Sequence, residues 1–342
     1  MLASRSRLVA GSFVRRSISS SRGAAVSLHD STETIGFIGL GHMGSKMCAN
    51  MSRDGKNLLV FDNSADAVKK VVGESNAVAA SSVKEIGEKC SVVFSMLPND
   101  NAVNAVSEAL LTGAGGDKEM IHVSCSTISP VTSRGLAANY SSQNKQFIAS
   151  PVFARPDGIS KRQATWMIAG EERGRKVAAE LLESSGNCVD YGDDTGASNV
   201  VKLCGNFLIA STIEAVSEAM ALAEKHNVDR KDVMTMLSGS IFDCLIYKGY
   251  GQRVSERDHR PGGFSLELGL KDCTLVQAAA READVPMPFL SVLLDRYTSA
   301  KAKGRADFDW SAIGLSVAED AGIDVSKDVA RTRKDVDEKN LY

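Results

Sequence analysis

Three glycines set between two apolar strands, the second of which ends in an acid, restrict a chain to very few folds. Residues 34–62 have that form. Ile35 to Ile38 is an apolar strand that runs directly into Gly39, Gly41 and Gly44, and Leu58 to Phe61 is a second strand closed by Asp62. The glycines have the G-x-G-x-x-G spacing of a nucleotide-binding βαβ unit. Gly39 permits the tight turn, Gly41 lets the backbone approach a pyrophosphate, and Gly44 lets helix and strand pack closely. A helix beginning near His42 and Met43 would present unpaired N–H groups to that pyrophosphate. Asp62 stands 18 residues after Gly44, where a carboxylate accepts hydrogen bonds from the adenosine ribose. A 2′-phosphate there would be repelled, and Asn63 and Ser64 supply no arginine to receive one, so the cofactor expected is NAD rather than NADP.

A chain of 342 residues exceeds what one hydrophobic core usually serves, so two domains are expected. The net charge of −2 hides an asymmetry, because residues 1–28 carry five Arg and no acid, leaving about −7 on the remainder. An acidic body with no basic cluster argues against nucleic acid or an anionic membrane as partner. No apolar run approaches the ~20 residues of a membrane span. The N-terminal 28 residues, rich in Arg and Ser, have the composition of a mitochondrial transit peptide, which places the mature protein in the matrix. Leu8 to Val14 is broken by Gly11 and Ser12 and gives no secretory apolar core. The seven cysteines are scattered, without a C-x-x-C pair or metal-ligand spacing. That pattern suits a reducing compartment and buried thiols used as small apolar fillers.

After Asp62 the sequence alternates helix and strand. Ala65–Val72, Ser81–Cys90, Asn101–Leu110 and a helix capped by Ser129 and opened by Pro130 alternate with strands at Ser91–Leu97, Met120–Ser124, Phe147–Phe153, Thr165–Ala169 and Cys188–Tyr191. Repeated βα units imply an α/β domain, a Rossmann-type doubly wound parallel sheet, over 33–192. Binding residues belong at the carboxyl ends of its strands, where Leu97-Pro98 and Ser126-Thr127 fall. From Gly196 the pattern is helical only, so an all-α substrate and oligomerisation domain is expected over 195–325. Its first helix runs from Asn199 to His226, and further helices cover Arg230–Met236, Leu266–Ala283 and Leu290–Lys301. A Gly-rich charged loop covers Gly249–Gly263, and residues 326–342 form a frayed, charged tail. Phe207, Leu208, Ile209, Ile213, Val216 and Met220 give the long helix apolar surface for a homo-oligomer, a dimer or tetramer.

Gly196, Ser198, Lys202 and Asn206 form a second informative group. Residues four apart share one helix face. Lys202 lies near the helix N-terminus, where the macrodipole disfavours a cation. A lysine desolvated there by a bound cofactor titrates below its ordinary range and can exchange a proton near neutrality.

These segments resemble the β-hydroxyacid dehydrogenase family over about residues 33–322. Phe37-Ile38-Gly39-Leu40-Gly41-His42-Met43-Gly44 is similar to the family's opening signature. Ser126-Thr127-Ile128-Ser129-Pro130 resembles its substrate-contacting segment, Gly196 to Asn206 its catalytic-lysine helix, and Lys271-Asp272 its C-terminal lysine motif. The resemblance implies that Lys202 is the acid/base residue, that Asn206 orients the substrate hydroxyl and that Ser126 contacts the substrate. Leu97, Pro98 and Thr127 would lie beside the cofactor. Lys271 would reach the nicotinamide end or the substrate carboxylate. The implied reaction is oxidation of a small hydroxy acid, with 3-hydroxyisobutyrate leading, without a metal. Relatives that act on other acids, and members that bind dinucleotide only as scaffolds, are the alternatives, and Lys202 argues against the scaffolds. The sequence also departs from the family pattern. Ser124, Ser198 and Gly205 stand where Asp, Gly and Asn are usual, and Phe153-Ala154-Arg155 replaces Ser-Gly-Gly. Arg155 offers a bidentate partner for a substrate carboxylate, or else it faces solvent or pairs with Asp157.

Overall fold

The computed structural model describes residues 33–340. The transit-peptide expectation for residues 1–28 therefore lies outside the described residues. The first half is built of β1 (Thr34–Ile38), α1 (Gly44–Arg53), β2 (Asn57–Phe61), α2 (Ala65–Glu74), β3 (Val78–Ala79), α3 (Val83–Lys89), β4 (Val92–Ser95), α4 (Asp100–Ala114), β5 (Ile121–Ser124), α5 (Pro130–Ser141) and β6 (Gln146–Ala149). These strands form one parallel sheet in the order β3-β2-β1-β4-β5-β6. The order reverses between β1 and β4, which opens a crevice at their carboxyl ends. Apolar residues from both faces of the strands build two clusters, one around Phe37, Met47 and Phe94 and one around Ile38, Val93 and Tyr140. The doubly wound sheet read from the alternation is the observed one. Ser129 caps α5 as expected, its hydroxyl accepting from Thr132 N at 3.0 Å.

The expected strand Phe147–Phe153 is two strands. Chain pairing with β5 ends at Ser150, whose N–H donates to Ser124 O at 2.8 Å. Pro151 has no N–H to continue a ladder. The chain then turns into a second sheet, β7 (Val152–Phe153), β8 (Ala164–Ile168) and β9 (Gly186–Asp190), with α6 (Pro156–Ser160) and α7 (Glu172–Leu182) between them. Neither α6 nor α7 was expected, nor was the two-residue β3.

The second half is helical. It comprises α8 (Thr195–Lys225), α9 (Arg230–Ser238), α10 (Gln252–Glu256), α11 (Leu266–Glu282), α12 (Pro288–Ala302), α13 (Ile313–Asp320) and α14 (Ser326–Asn340). At 31 residues α8 is about 46 Å long. It starts earlier than expected because Asp194 caps it, accepting from Gly196 N at 2.9 Å. By length and composition α8 could cross a membrane, which corrects the reading that no segment approaches that size. In this fold it is the axis of the domain. Ile213, Val216 and Met220, expected as oligomer surface, are buried in the core, where α8 packs on α11, α12 and α13.

Three more expectations are corrected here. Residues 326–340 form a helix rather than a frayed tail, because Val325, Val329, Thr332 and Val336 recur at helical spacing and turn one face inward. The Gly249–Gly263 loop contains a π turn and α10. A Cβ on Gly251 would stand 2.6 Å from Met234 Sδ, so this glycine serves close packing rather than loop freedom. Cys204 and Cys244 are exposed, not apolar fillers.

Candidate active site

At the crevice the glycines divide into two kinds. Gly39 has φ +93°, and a Cβ on it would lie 2.2 Å from Met96 O; a Cβ on Gly44 would lie 1.9 Å from Gly39 O. Both are required by the protein's own packing. A Cβ on Gly41 would meet nothing within 4 Å. Its bareness has no internal cause and fits an outside group lying against the backbone. Helix α1 begins at Gly44, with Met43 as N-cap and His42 exposed before it, slightly later than expected. No side chain caps it; Ser45 N and Lys46 N donate to Gly41 O and Met43 O, both at 3.1 Å, and the positive end of the helix faces the crevice, where it suits an anion. Asp62 holds the loop: its Oδ2 accepts from Leu40 N and its Oδ1 from Ser64 N, both at 2.7 Å. A carboxylate has further lone pairs for ribose hydroxyls. These residues fit a dinucleotide without a 2′-phosphate. Leu97 and Pro98 follow β4 on the other wall. Leu97 N donates to Ser126 Oγ at 2.8 Å, which joins that wall to the segment after β5.

The chemical centre lies on α8. Lys202 is 9% exposed and its Nζ donates to Asn206 Oδ1 at 2.9 Å. Asn206 Nδ2 donates to Asp272 Oδ2 on α11 at 2.5 Å, and Asp272 Oδ1 meets Lys271 Nζ at 2.9 Å. Lys271 Nζ also donates to Thr127 O at 2.8 Å. A chain of hydrogen bonds and one ion pair thus runs Lys202–Asn206–Asp272–Lys271–Thr127 and ties the helical half to the end of β5. Its order fixes the Asn206 amide. Asp272 can only accept, so it takes Nδ2 and leaves Oδ1 facing the lysine. Burial pulls the Lys202 pKa down from 10.5 to about 8; the nearby Asp272 carboxylate raises it and Lys271 lowers it further. The helix N-terminus expected to lower it is distant, since α8 begins at Thr195, 7 residues earlier, and burial is the main cause instead. Part of the lysine's cover is the Phe153 ring, whose centroid is 4.3 Å from Nζ.

Asp272, buried to 1% exposure, is the member of this chain that sequence reasoning did not assign. The signal was available: an acid beside Lys271 in the apolar run Leu268 to Leu275 needs a partner when buried. Ser198 is not part of the centre. Its hydroxyl donates to Thr195 O at 3.2 Å. Gly196 lies under the Arg134 guanidinium, 2.6 Å from where its Cβ would be. Arg155 is 34% exposed, and Asp157 is paired with Lys161 instead. Arg155 Nη1 donates to Tyr250 OH at 3.2 Å and lies 3.6 Å from Oδ2 of buried Asp309, a bridge between the two halves of the molecule.

Residues 34–192 match the NAD binding domain of 6-phosphogluconate dehydrogenase. Residues 196–317 match the domain described as NAD-binding of NADP-dependent 3-hydroxyisobutyrate dehydrogenase. The chain is 32% identical to an uncharacterized oxidoreductase, YfjR, of Bacillus subtilis, over 82% of this chain and 98% of that protein. It is 30% identical to the mitochondrial 3-hydroxyisobutyrate dehydrogenase of Drosophila melanogaster, over 84% of this chain and 90% of that one. Among solved structures it is similar to Mycobacterium tuberculosis 3-hydroxyisobutyrate dehydrogenase with L-serine, at TM-score 0.74 and 26% identity, covering 84% of this chain and 99% of that one. The likeness runs through the dinucleotide crevice and the lysine helix alike, and on that ground the chain belongs to the β-hydroxyacid dehydrogenases, NAD-dependent oxidoreductases that act on CH–OH groups.

Proposed function

We propose that the protein oxidises a short β-hydroxy acid to its semialdehyde, with 3-hydroxyisobutyrate the first candidate and L-serine the second. The observation that carries this reading is the chain Lys202–Asn206–Asp272–Lys271, which aims a buried, easily deprotonated lysine while setting a second cation three links away. A dinucleotide held by the Gly39–Gly44 loop and Asp62 would supply the hydride acceptor for the hydroxyl carbon. Lys202 Nζ takes the hydroxyl proton in its neutral form and returns it in the reverse direction. Asn206 holds Nζ in register, and Asp272 keeps the amide from turning. Lys271 and the Ser126 hydroxyl, whose oxygen already accepts from Leu97 N and whose proton is free to donate, receive the substrate carboxylate. Arg155 is committed to Asp309 and Tyr250. We assign it to holding residues 153–155 in place, in preference to a direct carboxylate contact. The two substrates share a hydroxymethyl group and a carboxylate. The relatives' names support both, since one is a 3-hydroxyisobutyrate dehydrogenase and another was solved with L-serine.

The test is NADH formation by the full chain with 3-hydroxyisobutyrate, L-serine and other β-hydroxy acids. Turnover of at least one acid that disappears in Lys202→Ala is the expected result. NAD binding with no acid oxidised would remove the dehydrogenase assignment and leave the scaffold alternative. A wild-type ranking of acids retained by Arg155→Ala would agree with a holding role; selective loss of one acid would make it a carboxylate ligand. Residues 1–28 are proposed as a mitochondrial presequence, in line with the mitochondrial name of the Drosophila relative. A fusion of these residues to a reporter should direct it to the matrix. A homo-oligomer is proposed from Leu208, Ile241 and Leu245, which are 63%, 81% and 87% exposed, and its size is read by light scattering.

A further inference from the structure

Phe153 and Gly205, two positions at which the sequence departs from the family pattern, belong to different halves of the molecule and meet in the structure. A Cβ on Gly205 would stand 2.1 Å from Phe153 Cζ and 2.6 Å from its Cε1. The ring therefore sits in a hollow of α8 that any side chain at 205 would fill. Gly205 is three residues after Lys202 and one before Asn206, so the hollow adjoins the acid/base pair on the same stretch of helix. The ring borders Lys202 directly, at 4.3 Å from centroid to Nζ, within the range of a cation–π contact.

The segment that carries the ring is fixed on both sides. Val152 and Phe153 pair with Trp166 and Thr165 of β8. Beyond the ring, Arg155 bridges to Asp309 and Tyr250, and Pro156 opens α6. A ring held this way cannot retreat without disturbing a strand pairing or the ion pair to buried Asp309.

We propose that Phe153, seated on Gly205, is the specificity-determining wall of the site, limiting the substituent that a substrate can carry on its hydroxyl-bearing carbon. The inference rests on the reading of Lys202 as the acid/base group. The reacting hydroxyl must come within hydrogen-bond reach of Nζ, and Nζ is bounded by Asn206 on one side and by the ring on another. The carbon next to that hydroxyl then approaches the ring. A primary alcohol fits, whereas each carbon added to that centre presses on an aromatic wall that has no room to yield. The site is thereby selective for β-hydroxy acids ending in CH2OH.

The experiment compares kcat/KM for 3-hydroxypropionate and 3-hydroxypentanoate in wild type, Phe153→Ala and Phe153→Leu, the last retaining an apolar filler if the alanine variant folds poorly. Removing the ring should raise the ratio of the larger to the smaller acid at least about 10-fold, the discrimination that one or two carbons carry against a packed wall. Gly205→Ala is then made in both backgrounds. It should lower kcat/KM when Phe153 is present and have little effect when residue 153 is alanine. Turnover with an unchanged ratio in both Phe153 variants, or an equal effect of Gly205→Ala in both backgrounds, overturns the wall while leaving the dehydrogenase reading intact. Absence of turnover by wild type on every acid of the panel withdraws that reading and the wall with it.

Discussion

Two lysines are almost equally hidden in this protein, one in each half. Lys145, between α5 and β6, is 4% exposed, and Lys202 on α8 is 9% exposed. Lys145 Nζ donates to Gly115 O, Gly116 O and Gln143 O at 3.1, 3.0 and 3.1 Å. An ammonium has three protons, and all three are placed. Lys202 Nζ has one acceptor among the described residues, Asn206 Oδ1, and an aromatic ring over another side. The difference teaches that burial alone does not mark a reactive lysine. A buried cation with donors left over is costly, and the cost is recovered only when a substrate oxygen supplies what the protein withholds.

The comparison can be broken most sharply at the two ammonium groups themselves. Lys202→Ala should lower kcat by about 10²- to 10⁴-fold, the range for a positioned acid/base, with an unchanged far-ultraviolet dichroism spectrum. Lys145→Met should leave kcat near wild type. A smaller effect belongs to Asp272. Its carboxylate raises the Lys202 pKa, so Asp272→Asn should move the rise of the oxidation rate to lower pH. It should also cost roughly tenfold in kcat/KM as Asn206 loses its anchor, an amount equivalent to about 1.4 kcal/mol. Steady-state rates across pH 6–10 check both.

Stability gives the most discriminating contrast, because the two substitutions act with opposite sign. Lys202 is held at about 8 in the folded protein against an ordinary 10.5. Below pH 8 both folded and unfolded chains keep its proton, and the folded state carries the full cost of burying the charge. Between those two values the unfolded state binds more protons, so stability rises with pH. Lys202→Met should therefore stabilise the protein at pH 7 by about 1–3 kcal/mol, a gain that fades toward pH 10. Lys145→Met should destabilise it by about 1–3 kcal/mol by removing three charge-assisted hydrogen bonds. Denaturant titrations at pH 7 and pH 10 read both signs.

The parallel sheet, its crevice and the lysine helix were legible because each rests on local rules. The glycine spacing fixes a turn, apolar runs bounded by Pro or Ser fix strands, and residues four apart fix a helix face. What the sequence did not disclose is pairing between segments far apart in the chain. Asp272 receives its role from Asn206, 66 residues earlier, and Arg155 meets Tyr250, 95 residues later. The split at Pro151 depended on a second sheet whose first strand, β7, is only 2 residues long. Helix α14 was hidden by its charge, since four inward positions among many ionised ones carry little apolar signal. Gly205 carried no local message at all, because the ring that requires it comes from the other domain.

The central claim is that Lys202 accepts the substrate proton. Its most direct test is the pH dependence of kcat/KM for oxidation of the best acid, measured for wild type and Lys202→Ala. The account predicts a rise through an apparent pKa near 8 in wild type, and a low, flat profile in the variant. A variant that retains the same rise near 8 would place the titrating group elsewhere and contradict the claim.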